Sequence, residues 1–370
     1  MPEPRSVPLS SSEAVLRSLL LAWFDRHQRD LPWRRTRDPY AIWLSEVMLQ
    51  QTRVQTVIPY WQRFLERFPT VNDLAEAPQD DVLSLWRGLG YYSRARNLHL
   101  AAKAISQQGS FPRTAEELGK LPGFGRYTAG AVASIGFGEA APVVDGNVAR
   151  VFARLFLVEG APGERDREKA LWSLAEQWVV GPRPGDWNQA LMELGALICR
   201  PEAPTCLICP LRDRCGALQA GRVAELPPVR VRAARKRLEL LVAVWRDGDK
   251  VLLARRAGGG LFGGLWELPS AEAITQDPAP LRALLGKVEV DPELCRVQRT
   301  LTHRDLVLRL HPVQGPRAPS DLEGYDALCW ASPLESAQLG MSTAMHKALL
   351  AASEAAPAAE RVPRPRQRKR

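Results

Sequence analysis

Six side chains in this 370-residue chain have the types and spacing to do chemistry: Glu46, Asp145, Cys199, Cys206, Cys209 and Cys215. Glu46 lies in AIWLSEVMLQQT, where Ile42, Trp43, Leu44, Val47, Met48 and Leu49 make a helix that is apolar almost all round. A carboxyl group buried there without a cation has its charged form disfavoured and its pKa raised, as a general acid near neutral pH requires. Taken alone, a buried glutamate satisfied by hydrogen bonds is the plainer account. Asp145, in VVDGNVARV, has its own structural alternative, because aspartate ahead of Gly-Asn and a helix is a routine N-cap. Together the two carry more weight than either does singly. One protonated and one ionised carboxyl group are the minimum for breaking a glycosidic bond, the acid protonating the leaving group and the anion stabilising the sugar cation.

The cysteines are spaced Cys199, six residues, Cys206, two residues, Cys209, five residues, Cys215. The other two, Cys295 and Cys329, lie far away. In a reducing compartment such clustering argues for metal rather than disulfides. Structural zinc is one reading, but four-cysteine zinc sites usually show two close pairs, and a single CxxC in a helical context favours an iron-sulfur cluster. Arg200, Arg212 and Arg214 lie in or beside this loop and offer cations to a phosphate backbone.

These residues need a scaffold, and the pattern from Ser12 to about Cys199 is helical nearly throughout. Asp38-Pro39 has the N-cap and first-position chemistry of the helix carrying Glu46, and Thr114 and Glu117 have capping-box spacing. In LPGFGRYTAGAV, Gly123 and Gly125 open a hairpin before a segment of small residues. Glycines allow positive φ and close approach, and free N–H groups at the following helix start suit a DNA phosphate. After Cys215 the stretch GALQAGRVAELPPVRVRAARKR reads as a linker, and beyond it RLELLVAVW and KVLLARR, joined by Asp247-Gly248-Asp249, read as a hairpin. Strands are expected at CRVQRTL, DLVLRLHPV and DALCWAS, with a closing helix near Ser342 to Ala351.

The expected organisation is therefore multidomain. An all-α domain at 1–216 contains the hairpin at 114–137 and the cysteine loop at 199–215. A linker at 217–236, an α+β domain at 237–355 and a basic disordered tail at 356–370 follow. Apolar content of 45% and charged content of 25% are those of an ordinary globular protein. No apolar run reaches the roughly 18 residues of a membrane span, and the first residues do not resemble a signal peptide, so a cytoplasmic protein is expected. The net charge of +9 suits a polyanionic partner, though part of it sits in the run Arg361 to Arg370.

LPGFGRYTAGAV, VVDGNVARV and the four cysteines resemble the helix-hairpin-helix, Gly/Pro-Asp class of DNA glycosylases, the endonuclease III-like superfamily. Within it, LSEVMLQQTRVQTVIPYW, WRGLGYYSRARNL and NQALMELGALIC look like the MutY family of adenine DNA glycosylases, over about Leu31 to Cys215. The resemblance implies base excision repair, with adenine mispaired with 8-oxoguanine or guanine in duplex DNA flipped out and hydrolysed. It makes Glu46 the general acid and Asp145 the catalytic aspartate, supported by Tyr127 and Asn147. It sets Arg29, Trp33, Arg34 and Glu193 around the adenine, and Gln51 and Tyr91 at the wedge entering the base stack. It also implies a 4Fe-4S cluster on the four cysteines, a monomer, and action at the nucleoid.

Lyase relatives carry lysine in LPGxGRK as the amine that forms a Schiff base and cuts the strand. That position is Tyr127 here, which implies a monofunctional enzyme. The second domain resembles the Nudix-like C-terminal domain of the family, which reads 8-oxoguanine, and Thr302 and His303 fall at its lesion-sensing loop. Many members have Phe-Ser-His there, against Leu301-Thr302-His303 in this chain. The clustered glutamates of Nudix hydrolases are missing, since LPSAEAITQDPAP follows Glu267, and with them the magnesium site for pyrophosphate hydrolysis.

Overall fold

The computed structural model describes residues 11–228, 234–273, 277–315 and 319–355. The basic tail expected at 356–370 and part of the linker, 229–233, lie outside them. The chain divides into two units, Met1–Glu76 with Asn97–Arg232, and Ala77–Arg96 with Ala233–Arg370.

The helical elements up to the linker are α1 (Ser11–His27), α2 (Pro39–Leu49), α3 (Val54–Arg67), α4 (Val71–Glu76), α5 (Gln79–Leu85) and α6 (Tyr92–Gln108). They continue with α7 (Ala115–Leu118), α8 (Arg126–Phe137), α9 (Gly146–Leu155), α10 (Arg165–Val179), α11 (Pro184–Leu197) and α12 (Gly216–Gln219). At the head of α2 the Asp38 carboxylate accepts from the Tyr40 N–H at 3.0 Å, with Pro39 in the first turn. Every residue of α2 from Tyr40 to Met48 is buried, so this helix runs through the interior and Glu46 goes in with it. Its partner α8 is built of small residues, which let backbones approach closely; Gly130 meets the Pro142 carbonyl so tightly that a Cβ would lie 2.2 Å from that oxygen. The capping box at Thr114 and Glu117 forms as the spacing implies. Around α1, α8, α9, α10 and α11 the core is Phe24, Ile135, Val148, Phe152, Leu171, Trp187 and Leu191.

The second unit holds an eight-stranded mixed sheet, with strands β1 (Lys236–Asp247), β2 (Lys250–Arg256), β3 (Trp266–Glu267), β4 (Ser270–Glu272), β5 (Glu289–Val290), β6 (Cys295–Thr300), β7 (Arg304–Gln314) and β8 (Tyr325–Ala331). β1 and β2 form the expected hairpin, pairing Asp247 with Lys250 across a Gly248 at φ +59°. β1 also pairs in parallel with β7 over ten residue pairs, so it is covered on both faces. Leu240, Val242 and Val244 face one core with Met341, Met345 and Ala348, and Leu241, Ala243 and Trp245 face another with Leu281 and Leu285. Those two cores are closed by α15 (Thr343–Ala355) and α13 (Ala279–Leu285), with the short α14 (Pro333–Gln338) between them in sequence.

The division at Arg232 and Ala233 falls within the linker expected at 217–236, but the grouping of residues 77–96 with the second unit was not expected. Residues 77–96 pack with the sheet-bearing unit because their side chains find partners there. Asp80 accepts from the Trp266 indole at 3.1 Å and from the Gly340 N–H at 3.3 Å, and Arg87 donates to the Leu339 carbonyl at 2.8 Å. The start of the linker is tied to the helical unit as well. Leu226 is buried, its carbonyl accepts from Arg154 Nε at 2.7 Å, and Arg222 pairs with Glu159 at 2.7 Å. Among the described residues no helix is long and apolar enough to cross a membrane.

Candidate active site

Helices α2, α8, α9 and α11 bring two carboxyl groups and a phenol to one cavity of about 580 Å³, in which Glu46, Tyr127 and Asp145 form one end. Glu46 is buried, and its Oε2 accepts a 2.6 Å hydrogen bond from the Tyr127 hydroxyl. Burial pushes the Glu46 carboxyl up to about 7; the Tyr127 hydrogen bond and the Arg34 charge pull it down, and Asp145 pushes it up. Burial, with the Glu46 and Asp145 charges adding to it, drives the Tyr127 hydroxyl well above its usual range, so it stays a neutral donor.

Asp145 is both an N-cap and a pocket residue. Its Oδ1 accepts from the Val148 N–H at 2.7 Å, capping α9, while Oδ2 accepts from Asn147 Nδ2 at 2.8 Å. Burial raises its carboxyl and those bonds oppose the rise; the net direction is upward. Asn147 is held by Arg150, whose Nη2 donates to Asn147 Oδ1 at 3.0 Å and to the Gly195 carbonyl at 2.7 Å. A Cβ on Gly195 would lie 2.6 Å from that of Asn147, so only glycine lets α11 come this close. Arg150 Nε reaches on to the Cys199 carbonyl at 2.7 Å.

The other end of the cavity is ionic. Arg29 grips Glu193 through Nε at 2.9 Å and Nη2 at 2.6 Å, and adds its backbone N–H at 2.8 Å. Arg34 grips the same carboxylate at 3.1 and 3.0 Å. Burial pushes Glu193 up, but the two guanidinium groups outweigh it and hold the carboxyl down at about 2. Trp33 lines the wall beside them, edge-on to Trp61 with ring centroids 6.0 Å apart.

The cysteine loop follows α11. Cys199, Cys209 and Cys215 pack against the helical core. Burial pushes the Cys209 thiol up to about 12, and Cys199, Cys215 and Cys206 each push it further in that direction. Four mutually interacting thiols, free of disulfides, are a donor set that fits a soft multivalent metal centre. Among the described residues the side chains are not drawn in to metal-binding distance.

Glu46, Tyr127, Asp145, Asn147, Arg29, Trp33, Arg34, Glu193 and Gln51 all line the one cavity. Gly123, Gly125, Tyr91, Thr302, His303 and the cysteines do not. Gly123 has φ +76° and a Cβ there would strike Asn97 at 2.5 Å, whereas a Cβ on Gly125 would stand in open space. Gln51 and Tyr91 are among the few non-glycine residues with positive φ, at 56° and 48°. Such backbone costs about 1 kcal/mol or more and persists only where the surrounding structure holds it. Within the sheet-bearing unit the Tyr91 hydroxyl donates to Thr302 Oγ1 at 2.7 Å, a pairing the sequence did not suggest. His303 is exposed, and Leu301 packs against the sheet core.

Gln189 and Met192 line the cavity too and were not singled out from the sequence. On α11, Gln189 lies four residues before Glu193 and three before Met192, the spacings that stack side chains on one side of a helix; that spacing was the available signal. Arg150, one turn beyond Asp145, carried no local signal.

Fold and site together define a class. The model of the HhH-GPD superfamily base excision DNA repair proteins matches residues 44–177, and that of the NUDIX domain matches residues 241–351. The solved structure of a thermostable thymine-DNA glycosylase superposes with a TM-score of 0.51 at 32% identity, covering 56% of this chain and 97% of that one. The adenine DNA glycosylase of Mus musculus is 36% identical over 396 residues, covering 90% of this chain and 77% of the mouse protein. That of Homo sapiens is 40% identical over 331 residues, covering 74% of this chain; the match spans 61% of the human protein's length. The chain belongs to the adenine DNA glycosylase family.

Proposed function

We propose that this chain is a monofunctional adenine DNA glycosylase of base excision repair, acting on adenine opposite 8-oxoguanine or guanine in duplex DNA. The observation that carries the reading is Glu46, a buried carboxyl group pushed up to about 7 and sharing one cavity with Asp145. An acid with that pKa is half protonated at neutral pH, the best compromise between availability and strength.

Adenine must leave the base stack before its N7 can meet Glu46. Glu46 then delivers its proton to N7 and makes the base a neutral leaving group. As the C1′–N9 bond breaks, the Asp145 carboxylate stabilises or captures the C1′ cation, and water completes the abasic site. Asn147 and the Val148 N–H hold that carboxylate in place. Arg29, Arg34 and Glu193 present a fixed polar wall for the purine edge. Gln51 and Tyr91 act as the wedge, and Gly123 and Gly125 let the phosphate backbone approach. Thr302 and His303 read 8-oxoguanine, beside Leu301, which is partly buried against the sheet core.

Cys199, Cys206, Cys209 and Cys215 would hold a 4Fe-4S cluster, which when bound supplies a rigid cross-link of the loop. The monofunctional reading rests on Tyr127, whose phenol cannot form an imine; among the described residues no lysine lines the cavity.

The test is incubation with duplexes carrying adenine opposite 8-oxoguanine, guanine, thymine or cytosine. Alkali-labile sites opposite 8-oxoguanine and guanine, with little strand breakage before alkali, are expected. No abasic product opposite 8-oxoguanine would overturn the reading, and strand cleavage without alkali would overturn its monofunctional part.

A further inference from the structure

We propose that Met192 is a positioning residue for Glu46 and that its thioether is an oxidation site through which hydrogen peroxide turns the acid off; the inference rests on the function proposed above. Tyr127 has one hydroxyl proton and two acceptors within reach, Glu46 Oε2 at 2.6 Å and Met192 Sδ at 3.3 Å. A thioether is a weak acceptor, so the proton goes to Glu46. That choice has a consequence for the acid. With Oε2 occupied as an acceptor, the acidic proton of Glu46 sits on Oε1, the oxygen left free for the substrate base.

A sulfoxide reverses the order. Hydrogen peroxide transfers one oxygen atom: its O–O bond breaks, a sulfur lone pair forms the S–O bond, sulfur loses two electrons and the peroxide leaves as water. The new oxygen is a strong acceptor and chiral polar group on a side chain that was apolar. It takes the Tyr127 proton, Glu46 answers by donating through Oε2 to the phenol oxygen, and the acid no longer faces the cavity. Selectivity comes from exposure. Among the described methionines, Met48, Met341 and Met345 are buried at 0%, 0% and 1% exposure, whereas Met192 is half-buried on the cavity wall.

Loss of the Tyr127 bond also removes a contact that lowers the Glu46 pKa. The groups left around that carboxyl are Asp145 at the head of α9, which raises it, and Arg34, which lowers it, so its midpoint moves up.

The experiment uses the full chain, treated with hydrogen peroxide, quenched with catalase and assayed for single-turnover excision of adenine opposite 8-oxoguanine. Peptide mass spectrometry follows oxygen addition at Met192. The expected result is at least a tenfold loss of rate in proportion to Met192 oxidation, an alkaline limb displaced to higher pH, and recovery with methionine sulfoxide reductases, which do not repair over-oxidised thiols. Met192→Leu is expected to be two- to fivefold slower from the start, with its remaining rate insensitive to peroxide. Equal peroxide inactivation of Met192→Leu, or oxidised Met192 with an unchanged rate, would overturn the proposal. A readout independent of turnover is the infrared carboxyl band of Glu46, identified by its loss in Glu46→Gln: oxidation should raise its titration midpoint, and an unmoved midpoint overturns the proposal even if untreated protein excises no adenine. That last result without treatment counts against the glycosylase reading itself.

Discussion

Glu46 and Glu193 are the same side chain, both buried, facing one cavity from two helices, and they are held in opposite states. Glu46 has apolar neighbours and a phenol, and its carboxyl is pushed up to about 7. Glu193 has two guanidinium groups and is held at about 2. Burial raises both; what separates them is whether a cation is within hydrogen-bonding distance. A site that needs a proton donor and a fixed anion in one small volume gets both from one residue type by placing the arginines at one end only. Tyr127 keeps the acidic end usable, since a neutral donor orients Glu46 without ionising it as fully as a cation would.

The largest expected effect tests the acidic end. Glu46→Gln keeps shape and hydrogen bonding but removes the transferable proton, and should lower single-turnover adenine excision by about 10³-fold, within the usual range for general acids. Binding to a mispaired duplex, measured by anisotropy, should hardly change. A variant retaining a tenth of the parent rate would remove Glu46 from the mechanism. The parent's rate should fall as pH rises through about 7, because the acid form is then lost.

Glu193→Gln should do its damage through stability. It leaves Arg29 and Arg34 facing a neutral amide, and breaking a buried ion pair costs about 3–5 kcal/mol, less here because Arg29 is 37% exposed. A denaturant midpoint well below the parent's is expected. The pH dependence should separate the two glutamates further. Glu193 has a depressed folded pKa, so its contribution is complete above the unfolded value near 4.5 and fades as pH falls toward about 2. Glu46 has a raised one, so the folded state is favoured most below about 4.5 and loses that advantage as pH rises to about 7. Glu46→Gln should therefore be more stable than the parent at pH 8, by on the order of 2–3 kcal/mol, and nearly equal to it at pH 4. Equal stability at both pH values would mean that Glu46 is not strained by burial.

Much of the acidic end was legible in the sequence. An unbroken apolar run around Glu46 dictates a helix buried on all sides, and Asp145 ahead of Gly-Asn dictates a cap; both are local patterns, and both hold. The ionic end was not legible locally. Arg29 lies 164 residues from Glu193 and Arg34 lies 159, and no periodicity in either segment pairs them; only resemblance put them together. The same limit hid Arg150, most of whose partners are backbone carbonyls that any residue supplies, and the placement of residues 77–96 with the sheet, which depends on Asp80 and Arg87 finding partners more than 180 residues away.

The smallest effect expected is that of Tyr127→Phe, and it bears most directly on what divides the two ends. The substitution removes one hydroxyl, leaves the ring's packing and introduces no charge. A hydrogen bond to a carboxyl group is worth about 1 kcal/mol net, so the plateau rate should fall only about fivefold. Its direction in pH is the informative part. The Tyr127 bond lowers the Glu46 pKa, so removing it should carry the alkaline limb of the rate profile upward. If Tyr127 were itself the proton donor, the loss would approach that of Glu46→Gln and the limb would not move. A small loss with an upward limb would establish that the phenol orients an acid it does not replace, and that the arginines of Glu193 could not be exchanged for it without abolishing the acid.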